Sequence, residues 1–316
     1  MPRLSILIPV LGETPSLDDT LISVLENRPV DCEILVVHNH PYDDPYHLGD
    51  EVRLVEAEAG AGLAGCLNRG LAEARSAVLH VLACGVEVTP GWTDEVLRHF
   101  DDPAVASVTP VVLDRGDPDR IVSVGWGYRV EGTVRRLGAG DRADQLSAYR
   151  EDLCGPDRLA GFYRVSALRA VGGFSDRAGD ALSAIDVALA LQQAGFHGVL
   201  ESQCVARTDP AMVRDGSAWR RGRDVERLFW YWVSNQGWLV SLAGHLALLV
   251  GEGLLGFWRP SLPLRWLGRF WGWIEAMTTG RRHRRPKVTR GDLAAMVGRP
   301  HFALASRKAR ESVVRE

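Results

Sequence analysis

Four stretches of this chain are close to continuously apolar over the length of a β-strand: LSILIPV (4–10), CEILVVHN (32–39), AVLHVLA (77–83) and VASVTPVVL (105–113). A strand with one wet face alternates apolar and polar residues. A strand that is apolar throughout needs cover on both faces, which in practice means parallel strands joined by helices. The segments between the runs fit that need. TPSLDDTLISVLEN (14–27) opens with Thr14 and Pro15 as N-cap and first helical residue, then places Leu17, Leu21 and Leu25 at helical spacing. EVRLVEA (51–57) is a shorter third strand, and GLAGCLNRGLAEAR (62–75) and GWTDEVLRHF (91–100) are further helices. The fold class is therefore α/β, a Rossmann-like, mostly parallel sheet with helices on both faces. In such sheets ligands bind beyond the carboxyl ends of the strands. This puts Pro9 to Glu13, His38 to Pro41 and Ala83 to Glu87 around one crevice.

With 316 residues, 46% of them hydrophobic and 24% charged, the chain is long enough for one large α/β domain and an appendage. A net charge of -3 gives no global reason for a nucleic-acid partner, and none is expected. The five cysteines are odd in number, scattered and free of CxxC pairs, which argues against a disulfide framework and for a reducing cytoplasm. MPRLSILIPVLGE reads as a first strand, since no small-residue cleavage pattern follows it.

Past residue 120 the pattern changes. The glycine-punctuated run IVSVGWGYRVEGTVRRLGAG (121–140) reads as a hairpin or irregular insert, and LAGFYRVSALRAVGGF (159–174) as a strand turning into a helix that ends at Gly172-Gly173. DALSAIDVALALQQAGF (180–196) is a strong helix stopped by Gly195. Residues 1–215 are expected to form the α/β domain, and 216–316 a helical, Trp-rich, basic C-terminal region. Seven of the ten tryptophans fall between Trp230 and Trp273. WLVSLAGHLALLVGEGLLGFW (238–258) has about the roughly 20 residues that a bilayer span needs, although His245, Glu252 and several glycines weaken that reading. LPLRWLGRFWGWIEAM (262–277) sets Trp266, Leu267, Phe270, Trp271 and Ile274 on one face with Arg265 and Arg269 off it, ahead of the basic run GRRHRRPK. Three readings stay open: helices in the membrane interface, an ordinary core pair with a solvated basic loop, or a true span.

The ordered pieces LSILIPV, EILVVHN, GLAGCLNRGL, VLACGVEVTPGW, GFYRVSALRAVGGFSD and IDVALALQQAGF resemble those of the family-2 glycosyltransferases of the GT-A fold, over roughly residues 3–205. The resemblance implies a nucleotide-sugar pocket in the crevice, lined by Pro9, Val10, Glu13, His38, Asn39, Gly85, Glu87 and Arg207, and a UDP- or dTDP-sugar as partner. It also implies a glycan or lipid-linked acceptor, and Mg²⁺ or Mn²⁺ held by aspartates at a strand end. Here the family's metal motif falls on Ala83-Cys84-Gly85, its Glu-Asp pair on Ser183-Ala184, its uracil-reading Asp on His38, and its metal-completing His near Arg207. Glycine and alanine can neither hold a divalent ion nor take a proton, so no metal ligands and no cofactor are expected. The resemblance then leaves two readings: a transferase with a reduced or metal-free site, or a catalytically inactive relative that binds nucleotide, glycan or partner.

Four residues could stand in for the missing groups. Asp186 matches the family's second helix acid, as a pocket group or as a hydrogen-bond partner of the loop before it. Asp180 becomes a base if its loop folds back over the crevice. Glu87 either turns to the crevice or faces solvent. Arg207 either neutralises a diphosphate by bidentate hydrogen bonds or is an exposed loop residue. HNHPYDDPYH (38–47) offers His38, His40, Asp43, Asp44 and His47 as metal ligands, or is a polar loop turning at Asp43 and Asp44. The expected location is cytoplasmic, including the cytoplasmic face of the membrane with peripheral contact to it.

Overall fold

The computed structural model describes residues 2–279, apart from 13–15, 41–47, 214–215, 234–236 and 257. The first half alternates as its pattern requires: β1 (Leu4–Val10), α1 (Leu17–Glu26), β2 (Cys32–His38), β3 (Arg53–Glu56), α2 (Leu63–Glu73), β4 (Val78–Leu82), β5 (Val86–Val88), α3 (Val96–His99) and β6 (Val105–Asp114). There follow β7 (Ile121–Ser123), β8 (Trp126–Tyr128), β9 (Val134–Arg136), β10 (Ala160–Arg164), α4 (Val165–Ala170), α5 (Ser183–Gln193) and β11 (His197–Thr208). Three longer helices end the described chain: α6 (Ala218–Trp232), α7 (Trp238–Gly256) and α8 (Leu262–Thr279).

The main sheet has nine strands in the order β3-β2-β1-β4-β10-β6-β11-β5, with β7 on β6. β1 pairs parallel with β2 and β4, β2 with β3, and β6 with β11. β10 runs the other way between β4 and β6, and β5 and β7 are also reversed. All seven residues of β1 are buried. Their side chains alternate between two cores: Leu7 joins α2, α5 and α6 on one face, while Ile6 and Ile8 join Leu17, Leu21 and Val24 of α1 on the other. The doubly apolar strands are thus explained.

Two local expectations give way to tertiary structure. The segment 91–100 is helical only from Val96 to His99, because Gly91 takes φ +73, which a helix cannot continue through, and Asp94 N–H closes a turn onto its carbonyl. The segment CVARTDP is no loop at first: β11 runs on to Thr208 because Cys204, Ala206 and Thr208 bury one side of it between β6 and β5. The glycine-punctuated insert does contain a hairpin, β8–β9.

The C-terminal helices attach in an unusual way. Val225, Leu228 and Trp232 of α6 belong to the same core as α2 and α5. α8 crosses α6 backbone to backbone: a Cβ at Gly222 would overlap the Arg265 carbonyl oxygen, and one at Gly268 or Gly272 the carbonyl oxygens of Trp219 and Arg223. α7 buries Ser241 and His245 while Leu239, Val240, Leu246, Val250, Leu254 and Leu255 stay exposed. It is long and apolar enough to cross a membrane. His245 nevertheless ties it to the domain, through Nδ1 to the Glu131 carbonyl of the β8–β9 turn (2.8 Å) and Nε2 to Glu226 of α6 (3.1 Å).

Candidate functional site

The carboxyl ends of β1, β2 and β4 are knitted together by side chains. Asn39 takes a hydrogen bond from Gly12 N–H on Oδ1 (3.3 Å) and gives one from Nδ2 to the Ala61 carbonyl (2.7 Å), so one amide fixes the β1 and β2 ends to the start of α2. His38 bonds the carbonyl of His40 through Nδ1 (2.7 Å). Cys84 donates its S–H to the Pro9 carbonyl (3.4 Å), and burial pushes its thiol up to about 12. Pro9, Val10, His38, Asn39 and Gly85 therefore do converge at one end of the sheet. Glu13, and residues 41–47 of the histidine-rich segment, lie outside the described residues.

Gly85 closes the turn after β4. Its N–H points at Ser16 O (3.1 Å) and Thr20 Oγ1 (2.8 Å), and its carbonyl accepts from Thr208 Oγ1 (2.7 Å). The residue takes φ +82, and a Cβ there would come within 2.9 Å of Met212 Cε. The turn is therefore closed by α1, β11 and Met212. Mg²⁺ and Mn²⁺ want several oxygen ligands, whereas Ala83, Cys84 and Gly85 offer no side-chain oxygen, and the carbonyls of Ala83 and Gly85 are already hydrogen-bonded. Among the described residues no three His, Cys, Asp or Glu side chains gather as a metal site. The residues do not fit a divalent ion held in the family's manner.

Glu87 lies in β5. It pairs with Arg115, which also reaches Asp19 (3.3 Å). Arg207 stands opposite Glu87 in the β5–β11 ladder, exposed, one residue before the threonine that holds Gly85.

The two aspartates near α5 part company. Asp186 is fully buried, and its Oδ1 accepts from Arg177 Nε (2.9 Å) and Trp232 Nε1 (2.9 Å). Arg177 lies in the loop before α5, so Asp186 serves that loop and α6. Asp180 is exposed. Both of its carboxylate oxygens lie 3.5 Å from where a Cβ on Gly62 would be, at the N-terminus of α2. Its charge also helps push the Cys66 thiol up, after burial itself. The loop has folded back to the same place that Asn39 reaches. Arg177, the partner that makes Asp186 structural, was missed in the sequence, where nothing marks it among the other arginines.

The sequence of residues 5–157 matches the family model "Glycosyl transferase family 2". No curated protein is similar to the chain in sequence. Solved structures that share its fold include three glycosyltransferase-type neighbours. A mannosyltransferase from Pyrobaculum calidifontis, solved with GDP-Man and Mn²⁺, aligns over 89% of this chain and 87% of its own at TM-score 0.52 and 16% identity. S. aureus TarS (1–349) aligns over 87% and 80% at 0.55 and 12%. GalNAc-T7, solved with UDP, GalNAc and Mn²⁺, aligns over 89% and 58% at 0.54 and 14%.

Proposed function

From a chain whose residues 5–157 match the glycosyl transferase family 2 model and whose fold is of the GT-A type, we propose an inverting transfer of sugar from a nucleotide-sugar donor, without a carboxylate-held metal. The observation that carries this reading is Asp180, an exposed carboxylate folded over the α2 N-terminus beside the crevice that Asn39 assembles. In the proposed step Asp180 accepts the proton of the acceptor hydroxyl as that oxygen attacks the anomeric carbon. The bond to the leaving phosphate breaks, and its electron pair departs with the nucleoside diphosphate. Arg207, exposed at the strand end beside Gly85, supplies the compensating positive charge. A UDP- or dTDP-sugar is the proposed donor, and a glycan or lipid-linked molecule of the cell envelope the acceptor.

The membrane interface is the proposed working surface, which keeps the chain on the cytoplasmic face. Support comes from the inverted polarity of α8: Arg269 is buried at 5% exposure while Leu267, Phe270 and Trp271 are at 60%, 59% and 50%. The run GRRHRRPK follows directly, and its charge suits anionic lipid.

A second reading, binding without turnover, is favoured by Ser183 and Ala184 at the positions of the family's acid pair. Incubation with a panel of UDP- and dTDP-sugars, with and without EDTA, separates the two. Glycosidic product that survives EDTA is expected. Loss of all product in EDTA defeats the metal-free step, and saturable UDP binding with no product from any donor favours the second reading.

A further inference from the structure

Between α7 and α8, over Trp230 of α6, runs a groove of about 430 Å³. Its walls are Leu246, Leu249 and Val250 on one side and Phe270 and Trp273 on the other, the two rings 5.9 Å apart. Trp266 of α8 reaches across onto α7 at Gly253, where a Cβ would come within 3.1 Å of the indole Cζ2. Leu246, Val250, Trp266 and Phe270 are exposed. A contiguous apolar surface of this kind is uncommon on a chain that works alone in water.

The polar groups beneath the groove are spent on one another. Glu226 Oε1 meets Trp230 Nε1 (2.8 Å) and His245 Nε2 (3.1 Å), and Oε2 accepts from Arg269 (2.9 Å). His245 is stacked on Phe229 at 3.8 Å, with Nδ1 on the Glu131 carbonyl. Glu226, His245 and Arg269 are all at most 5% exposed. A sugar or a peptide backbone laid here would give up water without gaining partners, which is unfavourable. A hydrocarbon loses nothing by entering.

Charge then selects among apolar occupants. Glu252 and Glu275, the carboxylates of α7 and α8, are both ion-paired, the first with Arg265 and Arg269 and the second with Arg227. Arg259, between the two helices, is exposed. The run GRRHRRPK, without an acidic residue, continues from α8. The rim is thus complementary to an anionic head group and not to a cationic one.

We infer that the groove is a binding site for one hydrocarbon chain of an anionic lipid. This goes further than two helices lying in the interface, because one lipid is held one to one. The volume falls within the roughly 300–1,000 Å³ of pockets that enclose small ligands. The source of the lipid rests on the interfacial reading above, so the two are measured separately.

The full chain is titrated with alkyl phosphates from octyl to tetradecyl, each below its micelle-forming concentration, and tryptophan fluorescence is followed. Saturable one-to-one binding is expected. Affinity should rise about fourfold with each added methylene and level off once the groove is full. Inorganic phosphate should not compete. Leu249→Trp, which fills the groove, should weaken binding roughly tenfold or more, the equivalent of about two methylenes. Val250→Trp acts at the exposed rim and keeps the test readable if Leu249→Trp unfolds. Both variants should still co-sediment with anionic vesicles, since Leu239, Leu255 and Trp271 stay exposed outside the groove. Absence of saturable binding, affinity unchanged in both variants, or equal affinity for dodecyltrimethylammonium overturns the inference. A dimer that Val250→Trp dissociates, with no amphiphile bound, assigns the groove to a second copy and also overturns it. Amphiphile binding without vesicle co-sedimentation sinks only the interfacial reading.

Discussion

Gly85 shows why a metal site is not one substitution away. Its left-handed backbone costs a non-glycine residue about 1–2 kcal/mol, and Met212 fills the space a side chain would need. Gly85→Asp is expected to lose at least that much stability in urea unfolding and to gain no stabilisation from Mn²⁺. The two aspartates make a sharper contrast. Asp180→Asn should keep the unfolding midpoint and lose about 10²–10⁴-fold in turnover, the usual share of a general base. Asp186→Asn should do the reverse: removing the charge that faces buried Arg177 costs on the order of 3–5 kcal/mol, seen first in unfolding curves. If Asp186→Asn folds normally and only its turnover falls, the roles given to these two residues are wrong.

α7 and α8 turn their ionic side inward and their apolar side out. Glu226 is the centre of that inner side, with His245 and Trp230 on Oε1 and Arg269 on Oε2. Burial alone would raise its carboxyl, but the bond from His245 and the Arg269 charge outweigh burial and hold it below the usual range. The outward side is a groove of roughly 430 Å³ lined by Trp230, Leu246, Leu249, Val250, Trp266 and Phe270. Burying one such side chain is worth roughly 1.5–3 kcal/mol. The double variant Trp266→Ser/Phe270→Ser should therefore reduce co-sedimentation with vesicles containing anionic lipid at least tenfold. Its far-ultraviolet spectrum should not change, since both side chains are half exposed already. Unchanged sedimentation would remove the membrane from this account.

A histidine sealed in the central sheet bears on the stability of the whole molecule. His80 of β4 is 1% exposed, stacked on Phe162 at 3.9 Å and beside Trp92 at 4.8 Å. Burial pushes its imidazole from 6.5 down to about 3. The folded state keeps it neutral, whereas the unfolded chain binds a proton below pH 6.5. The stability it contributes is thus full above pH 6.5 and falls as the pH drops towards 3. The loss is about 1.4 kcal/mol per pH unit, or about 2 kcal/mol at pH 5. His80→Phe should flatten that slope in urea titrations at pH 7 and pH 5; an unaltered slope would mean that the histidine titrates freely.

The α/β class and the crevice at the strand ends were legible in the sequence, because a run apolar on both faces can be satisfied only between two layers of helix. The position of Asn39 was legible for the same reason, since strand ends follow from strand runs. Other features depended on partners far away in the chain. Asp186 was decided by Arg177 and Trp232, the closed turn at Gly85 by Met212 and Thr208, and the inward side of α8 by Glu226 and Glu252. Periodicity tells which residues share a helix face, and only packing decides which face is inside. In α8 the charged face won, because carboxylates of α6 and α7 were already waiting there.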